Sequence, residues 1–455
     1  MSHHHPDVNT VIDAVPGRVL PASVSMASMA AIAAGLGAFA YGLFASEGGA
    51  PVAWGAWLVG TIYLIGISQG GVMFSVIQSG TLGRWGRPLK RVAEAFGLFL
   101  PVAWVLLLVF LVAGLKIYPW HPETWAHGGP VALAPHSAEA PASKEMWLTP
   151  VGFVVRNLAL AGLLFGLSFV YLRASLRPDL MLAAARLGSK APSWWSWFTS
   201  GGGDVSAEVD AGQRRQRAMV PLMGMSYALL MSFLAFDLLM SLAPWWVSNM
   251  FGGWIFMSSF WLSLAFLALF ATAGLDWLGL RGWVSSTTTH TLGRMMLAGT
   301  MFWGYTTFGQ LLPIWYTNMP EETDYLLVRM YLPQWQWMSQ TVAVMCFIAP
   351  FTMLLSRGVK KMRWPLAGVA AMIAVGVFME RTLLVLPQTW WGDHFPVMDF
   401  VVVCGGVWIG FVGLFVQVVG RILASMPAIP VSDPQLEEHP WDVHVHAPGA
   451  TAAHH

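Results

Sequence analysis

Charge is the scarcest ingredient of this sequence of 455 residues: Asp, Glu, Lys and Arg together make up 10% of it. A soluble domain carries roughly a quarter charged residues, and a chain this poor in charge cannot solvate its surface in water. With 56% hydrophobic residues and a mean hydropathy of +0.59, it reads as a polytopic membrane protein. The formal net charge of +1 gives no reason to invoke nucleic acid. Cysteine is nearly absent, with Cys346 and Cys404 both inside apolar runs. An iron–sulfur cluster takes about four cysteine ligands, and a disulfide framework takes paired cysteines outside the membrane. The two thiols read as small core residues. Histidine is scarce where a haem would need it. Only His290 and His394 stand near apolar runs, one on each expected face, so they cannot share one iron. No cleavable signal peptide is expected, because MSHHHPDVNTVIDAVPGRVL lacks a basic region leading directly into an apolar core.

What is present is long apolar runs. A membrane-spanning helix takes about 20 mostly apolar residues. Ten such runs occur, at about 22–44, 53–79, 93–118, 149–172, 219–242, 249–272, 294–317, 335–356, 365–387 and 396–424. They are continuous rather than alternating, so the expected fold is all-α, since every backbone polar group must be paired inside the bilayer. The connecting segments carry the orientation signal. Arg84, Arg87, Lys90 and Arg91 follow the second run. Arg173, Arg177, Arg186, Lys190, Arg214, Arg215 and Arg217 follow the fourth, and Arg357, Lys360, Lys361 and Arg363 the eighth. Loops after odd-numbered runs hold only Lys116, Lys144 and Arg329. The positive-inside rule therefore puts both termini in the cytoplasm.

The expected layout is an N-terminal cytoplasmic tail (1–21), a membrane domain (22–424) and a flexible C-terminal tail (425–455). Within the membrane domain, 119–148 reads as an external loop and 173–218 as a cytoplasmic loop, in part disordered. Residues 318–334 read as an acidic external loop. In that last loop Pro320 with Glu321, Glu322 and Asp324 can open a short helix. Those three acids are candidates for docking an extrinsic partner, against the plainer reading of a solvated cap.

Ionisable groups inside a membrane are costly and are functional candidates by default. Arg156, Asp237, Glu380, Arg381 and Asp399 all fall in the outer half of their runs, while the inner half holds comparatively little, chiefly Glu94 and Gln69. Asp276 and His290 stand near the inner surface. Two readings stay open. One has internal ion pairs tying helices together, Arg156 with Asp237 and Arg381 with Asp399. The other has a proton path or quinone pocket opening outward, with Gln310 among its polar positions. Trp and Met abundance is assigned to packing and interfacial belts.

Several stretches resemble a known family: RWGRPLKRVAEAF, FVVRNLAL, AFDLLMSLAPWWVSNMFGGWIF, HTLGRMMLAGTMFWGYTTFGQLLPIWYTNMPEET, FIAPFTMLLSRGVKK and FMERTLLVLP. In this order they are similar to the NrfD, or polysulphide reductase C-like, membrane proteins, and among them to the ActF-type subunits of alternative complex III. The resemblance implies two four-helix bundles, spans 2–5 and 6–9, flanked by spans 1 and 10, in a bacterial inner membrane. It implies a quinol:cytochrome c oxidoreductase that oxidises quinol (menaquinol) near the outer face. The c-type haems, iron–sulfur clusters and quinone would sit on other subunits: a multihaem c-type cytochrome, an iron–sulfur subunit and a paralogous NrfD-like subunit. This chain would bind no cofactor itself and would contribute to proton translocation. Matching positions are Arg156, Asp237, Gln310, Glu321, Glu322, Glu380 and Arg381. The chain departs from the family pattern in SLAPWW, with Ala243 where an acid is usual and Trp246 where a histidine often stands. Competing readings are a secondary transporter, against which the one-sided charge and lack of an evident repeat weigh, and a purely structural scaffold of a redox complex.

Overall fold

The computed structural model describes residues 7–122, 146–201, 203–244, 246–389, 397–433 and 436. Most of the expected loop 119–148 therefore lies outside the described residues, as does His394. The described chain is helical, with no strand. Its helices are α1 (Val8–Asp13), α2 (Ala22–Phe44), α3 (Gly49–Gly80), α4 (Lys90–Gly97), α5 (Leu100–Ala113) and α6 (Pro150–Leu187). There follow α7 (Trp195–Thr199), α8 (Val205–Leu238), α9 (Phe251–Ala273), α10 (Ser286–Thr317), α11 (Pro320–Met330) and α12 (Pro333–Ala343). The last are α13 (Ala349–Leu355), α14 (Arg357–Lys361), α15 (Arg363–Val385), α16 (Val397–Phe400) and α17 (Gly406–Ala424). Five-residue π-helical stretches, Val344–Ile348 and Val401–Gly405, join α12 to α13 and α16 to α17, and each holds one of the two cysteines.

Nine helical stretches among the described residues are long and apolar enough to cross a membrane, so the chain is an all-α multi-pass membrane protein. The expected seventh run lies in α10, a helix of 32 residues whose first turns carry Thr287, Thr288, Thr289, His290 and Arg294 and lower its hydropathy. The ends have identifiable causes. Asp204 and Ser285 cap α8 and α10 by accepting from the amides of Ala207 and Thr288. Pro150, Pro320 and Pro333 open α6, α11 and α12, where a missing N–H costs nothing. Asn318, in the left-handed region at φ 50°, ends α10. The turn into α11 follows at once.

Helix α3 is the axis of the fold and α9 packs along it. Helices α4, α5, α6 and α8 gather on one side of α3; on the other, α10 and α15 pack against α9, with α12 against α15 and α13 against α10 and α15. Helix α2 runs against α17 through small residues: a Cβ on Gly410 would stand 2.7 Å from the Cα of Gly35, so the two backbones touch. Peripheral α6 and α10 turn rows of large apolar side chains outward, such as Val151, Val155 and Leu163, or Met301, Tyr305, Phe308 and Trp315. That is the pattern of a lipid-facing surface, where no water needs satisfying.

Two expectations about the segments outside the spans, the loop at 173–218 and the free tail from 425, are corrected. The segment 173–218 is not a loop: α6 continues to Leu187 and α8 begins at Val205, so most of its arginines ride on helix extensions. Between them Trp195 is fully buried and donates Nε1–H to the Ser425 carbonyl at 2.9 Å. The N-terminal tail is packed, with Val11, Ile12 and Val15 in the core and Asp13 held by Arg186 at 2.7 Å. The chain also does not come free at 425. Met426, Ala428 and Ile429 are fully buried, and the packed domain reaches Asp433. Both ends of the described chain thus lie at the same end of the bundle as the basic clusters, called here the basic end.

Candidate functional site

Three buried polar clusters form, two of them toward the end opposite the basic one. In the first, Arg156 lies nearly two turns into α6 and Asp237 at the last turn of α8. Asp237 accepts from Arg156 Nε at 2.6 Å and Nη2 at 3.1 Å, from Trp147 Nε1 at 2.9 Å and from Asn157 Nδ2 at 3.1 Å. The Trp147 ring lies 3.9 Å from the guanidinium, adding a cation–π contact. The expected Arg156–Asp237 pair is present. Its carboxylate is saturated by donors.

In the second cluster Glu380 and Arg381, adjacent on α15 and about 25 Å along it from Arg363 at 1.5 Å per residue, are both buried and paired with each other. Trp303 of α10 donates to Glu380 Oε2 at 2.6 Å, and Arg381 Nη2 reaches Ser258 Oγ of α9 at 2.6 Å. The cluster therefore ties three helices. The expected pairing of Arg381 with Asp399 does not form. Asp399 instead accepts from Tyr41 Oη at 2.6 Å and from the Glu47 amide at 3.0 Å, bracing the turn between α2 and α3. Neighbouring residues on one helix met first, and Asp399 stands at the exposed start of α16.

The third and densest cluster lies at the basic end, where the sequence pointed to comparatively little. Arg91 Nε donates to Asp179 Oδ2 at 2.7 Å, Arg91 Nη1 pairs with Glu94, and Nη1 also meets Ser175 Oγ at 2.9 Å. Glu94 accepts from Ser75 Oγ at 2.5 Å and Ser175 Oγ at 2.6 Å. Tyr171 Oη shares hydrogen bonds with Ser75 at 3.0 Å and Ser79 at 2.9 Å. Ser79 and Lys90 then reach Gln216 Oε1, at 3.1 and 2.7 Å. The far end opens into a small polar cavity of about 30 Å³ lined by Lys90, Gln213, Gln216, Arg217, Ser432 and Asp433, the size of one water. The C-terminal strap closes over it. Asp179 accepts from the amides of Val431 at 3.1 Å and Ser432 at 3.0 Å, while Asp433 pairs with Arg87.

Helix α3 continues this cluster toward the middle of the bundle. Thr61, Ser68 and Ser75 recur every seven residues on it, with Gln69 beside them, and all are buried. Gln69 Oε1 accepts from Ser168 Oγ at 3.1 Å. Ser68 Oγ and Gln69 Nε2 are buried without a hydrogen-bond partner among the described residues. Orphaned buried donors are rare and mark either a water site or a working group.

The remaining candidates are placed as follows. Gln310 accepts from Ser248 Oγ at 2.9 Å and donates to the Thr306 carbonyl at 3.2 Å, a local brace between α10 and the turn before α9. Pro320 does open a helix, α11, on which Glu322 and Asp324 are half-buried, while the Glu321 side chain lies outside the described residues. Trp246 stacks flat on Tyr325 at 4.0 Å. Arg329 covers the other side of that ring at 3.5 Å and donates to the carbonyls of Leu383 at 3.0 Å and Leu384 at 3.3 Å near the end of α15. Burial pushes the Tyr325 hydroxyl above its ordinary range. The helix of the acidic loop is thus clamped on the bundle. No protein-family model matches the chain, and no curated protein matches it.

Proposed function

We propose that the chain is the membrane subunit, itself without a redox centre, of a bacterial quinol:cytochrome c oxidoreductase of the alternative complex III type, and that it carries protons while other subunits carry electrons. In this reading the helices around α3 and around α9 are the two four-helix bundles, flanked by α2 and α17. The basic end faces the cytoplasm by the positive-inside rule. Menaquinol is oxidised nearer the opposite face by a paralogous NrfD-like subunit. Electrons leave through iron–sulfur and multihaem c-type cytochrome subunits, and α11 with Glu321, Glu322 and Asp324 offers an acidic docking surface to one of them.

The observation that carries the reading is the polar line along α3. It begins at the basic-end cavity and runs through Gln216, Ser79, Tyr171 and Ser75 to Glu94; the orphaned Ser68 and Gln69 stand about two turns further along α3, about 10 Å on at 1.5 Å per residue, with no direct hydrogen bond to Ser75 or Glu94. Hydroxyls that both donate and accept can relay a proton, which a row of fixed ion pairs cannot. One observation favours a structural role for part of the charge: the four donors on Asp237 are all N–H groups, so it reads as a clasp between α6 and α8, whereas Glu94, though also paired with Arg91, accepts from the hydroxyls of Ser75 and Ser175, which can pass a proton on.

The test is purification of the full chain in mild detergent, with mass spectrometry of co-purifying proteins and a reduced-minus-oxidised haem spectrum. Multihaem cytochrome, iron–sulfur protein and a second NrfD-like subunit are expected. A colourless single chain from membranes whose quinol oxidase activity purifies elsewhere refutes the assignment. It would leave a transporter or a scaffold in its place.

A further inference from the structure

The basic end is not uniform. Arg87, Arg91, Arg177, Arg186 and Arg215 each face a carboxylate. Arg294, Arg357, Lys360, Lys361 and Arg363, where the start of α10 meets α14 and the start of α15, make no ion pair among the described residues. They are close together: Lys360, Arg294, Arg357 and Lys361 all stand near enough to His290 to act on its charge. Lys360 is only 8% exposed and lies against α10 because residue 293 is glycine, where a Cβ would meet Lys360 Cγ at 2.7 Å. A buried ammonium without a counter-charge is costly. Topology needs cations at this face, but it does not need them unpaired around a hole.

There is such a hole. A cavity of about 160 Å³ is lined by Lys361 and Arg363, by the hydroxyl residues Ser285, Ser286 and Thr289, and by apolar Leu275 and Leu366. It sits beside the first turn of α10, whose free amides favour negative charge. Exposed Leu355, Met362 and Trp364 flank the cations, which fixes their level at the boundary of headgroups and hydrocarbon.

We propose that this is a binding site for the phosphate headgroup of an acidic phospholipid of the leaflet at the basic end. Lys361, Arg363 and the start of α10 would hold the phosphate, and Lys360 and Arg294 would add long-range attraction. The charge is complementary, the Ser286 hydroxyl and the first amides of α10 suit phosphate oxygens (Ser285 and Thr289 being engaged in the helix start), and the flanking apolar side chains suit acyl chains rather than a water-soluble anion or an acidic protein. Basic pockets between spanning helices on the positive side are where such headgroups bind. The inference does not depend on the redox reading.

The test is native mass spectrometry of the detergent-purified full chain titrated with cardiolipin and, separately, with phosphatidylcholine. The Lys361→Gln/Arg363→Gln variant should bind cardiolipin about 25-fold more weakly, on the order of fivefold per cation removed. Both residues lie at the surface of the cavity, and the charge-keeping Lys361→Arg/Arg363→Lys variant should bind like the parent. A control, Arg173→Gln/Arg214→Gln, removes two charges elsewhere on the same face and should change little. Equal weakening by the control overturns the site. So does phosphatidylcholine binding as tightly as cardiolipin, or inorganic phosphate displacing the lipid at equal concentration.

Discussion

Replacing Asp237 by alanine removes the acceptor of four hydrogen bonds and leaves Arg156 facing a cavity. The Asp237 side chain is 2% exposed and that of Arg156 19%, so the arginine keeps a little contact outside the protein. Breaking a buried pair by deleting one partner costs about 3–5 kcal/mol, and the partial exposure of Arg156 places this site near the low end, about 3 kcal/mol. The converse change tells whether the pair or the space matters. Arg156→Met with Asp237→Leu keeps the volume and removes both charges, and such replacements are often neutral. It should recover most of the loss. The assay is built into the chain. Cys346 and Cys404 are its only thiols and both are buried, so a thiol-reactive fluorophore reports unfolding directly in detergent. Asp237→Ala should unfold at a clearly lower temperature than the parent, and the double variant close to the parent. If Asp237→Ala matches the parent, or the double variant is as unstable as the single, the clasp reasoning fails.

Other perturbations separate the clusters. Glu94→Gln keeps the hydrogen-bonding volume beside Ser75 and Ser175 but cannot hold the relayed proton. The variant complex should assemble normally and couple quinol oxidation to proton uptake at least about tenfold more slowly, and unchanged uptake in reconstituted vesicles would refute the α3 route. Truncation after Ser425 removes the buried Met426, Ala428 and Ile429 and the Asp433–Arg87 pair and should lower thiol-protection temperature markedly. Gly410→Leu drives a side chain into the Gly35 backbone and should destabilise the chain, while Gly368→Leu, with open space around it, should not. Arg186 holds the Asp13 carboxyl below its ordinary range. That latch is complete above the unfolded carboxyl value of about 3.9 and is lost as pH falls through the lower folded value, so proteolysis of the N-terminal segment should accelerate only in strong acid and Asp13→Asn should abolish that dependence.

The membrane class, most of the spans and the Arg156–Asp237 pair were legible in sequence, because apolar length and an unmatched charge inside it are local signals. The basic-end cluster was not, for a physical reason. Lys90, Arg91 and Asp179 sit at the ends of apolar runs, where charges normally meet water, so position alone assigns them to topology. Only the packing of α4 against α3 and α6 buries them. A local clue was present: in KRVAEAF, Lys90 and Arg91 stand four and three residues before Glu94, the spacing that brings side chains together on a helix. Asp399 misled in the opposite way. Its run looked like membrane from the start, yet its first residues form the exposed end of α16 and serve a turn.

The same contrast separates two kinds of cation at one face. Arg91 of α4 and Arg87 just before it are folded inward against buried carboxylates, Arg91 also against the Ser175 hydroxyl. Those of α14 and the starts of α10 and α15 make no ion pair among the described residues, although Arg363 lies near enough to Asp276 to act on its charge, and they stand among exposed Trp and Met side chains. Charge counting treats all of them as one signal, the one that orients the chain. Packing divides them, because a cation with an internal counter-charge is complete within the chain. An unpaired one beside a cavity needs its anion from outside. For a chain whose surroundings at that level are lipid headgroups, the bilayer itself is the nearest source of that anion.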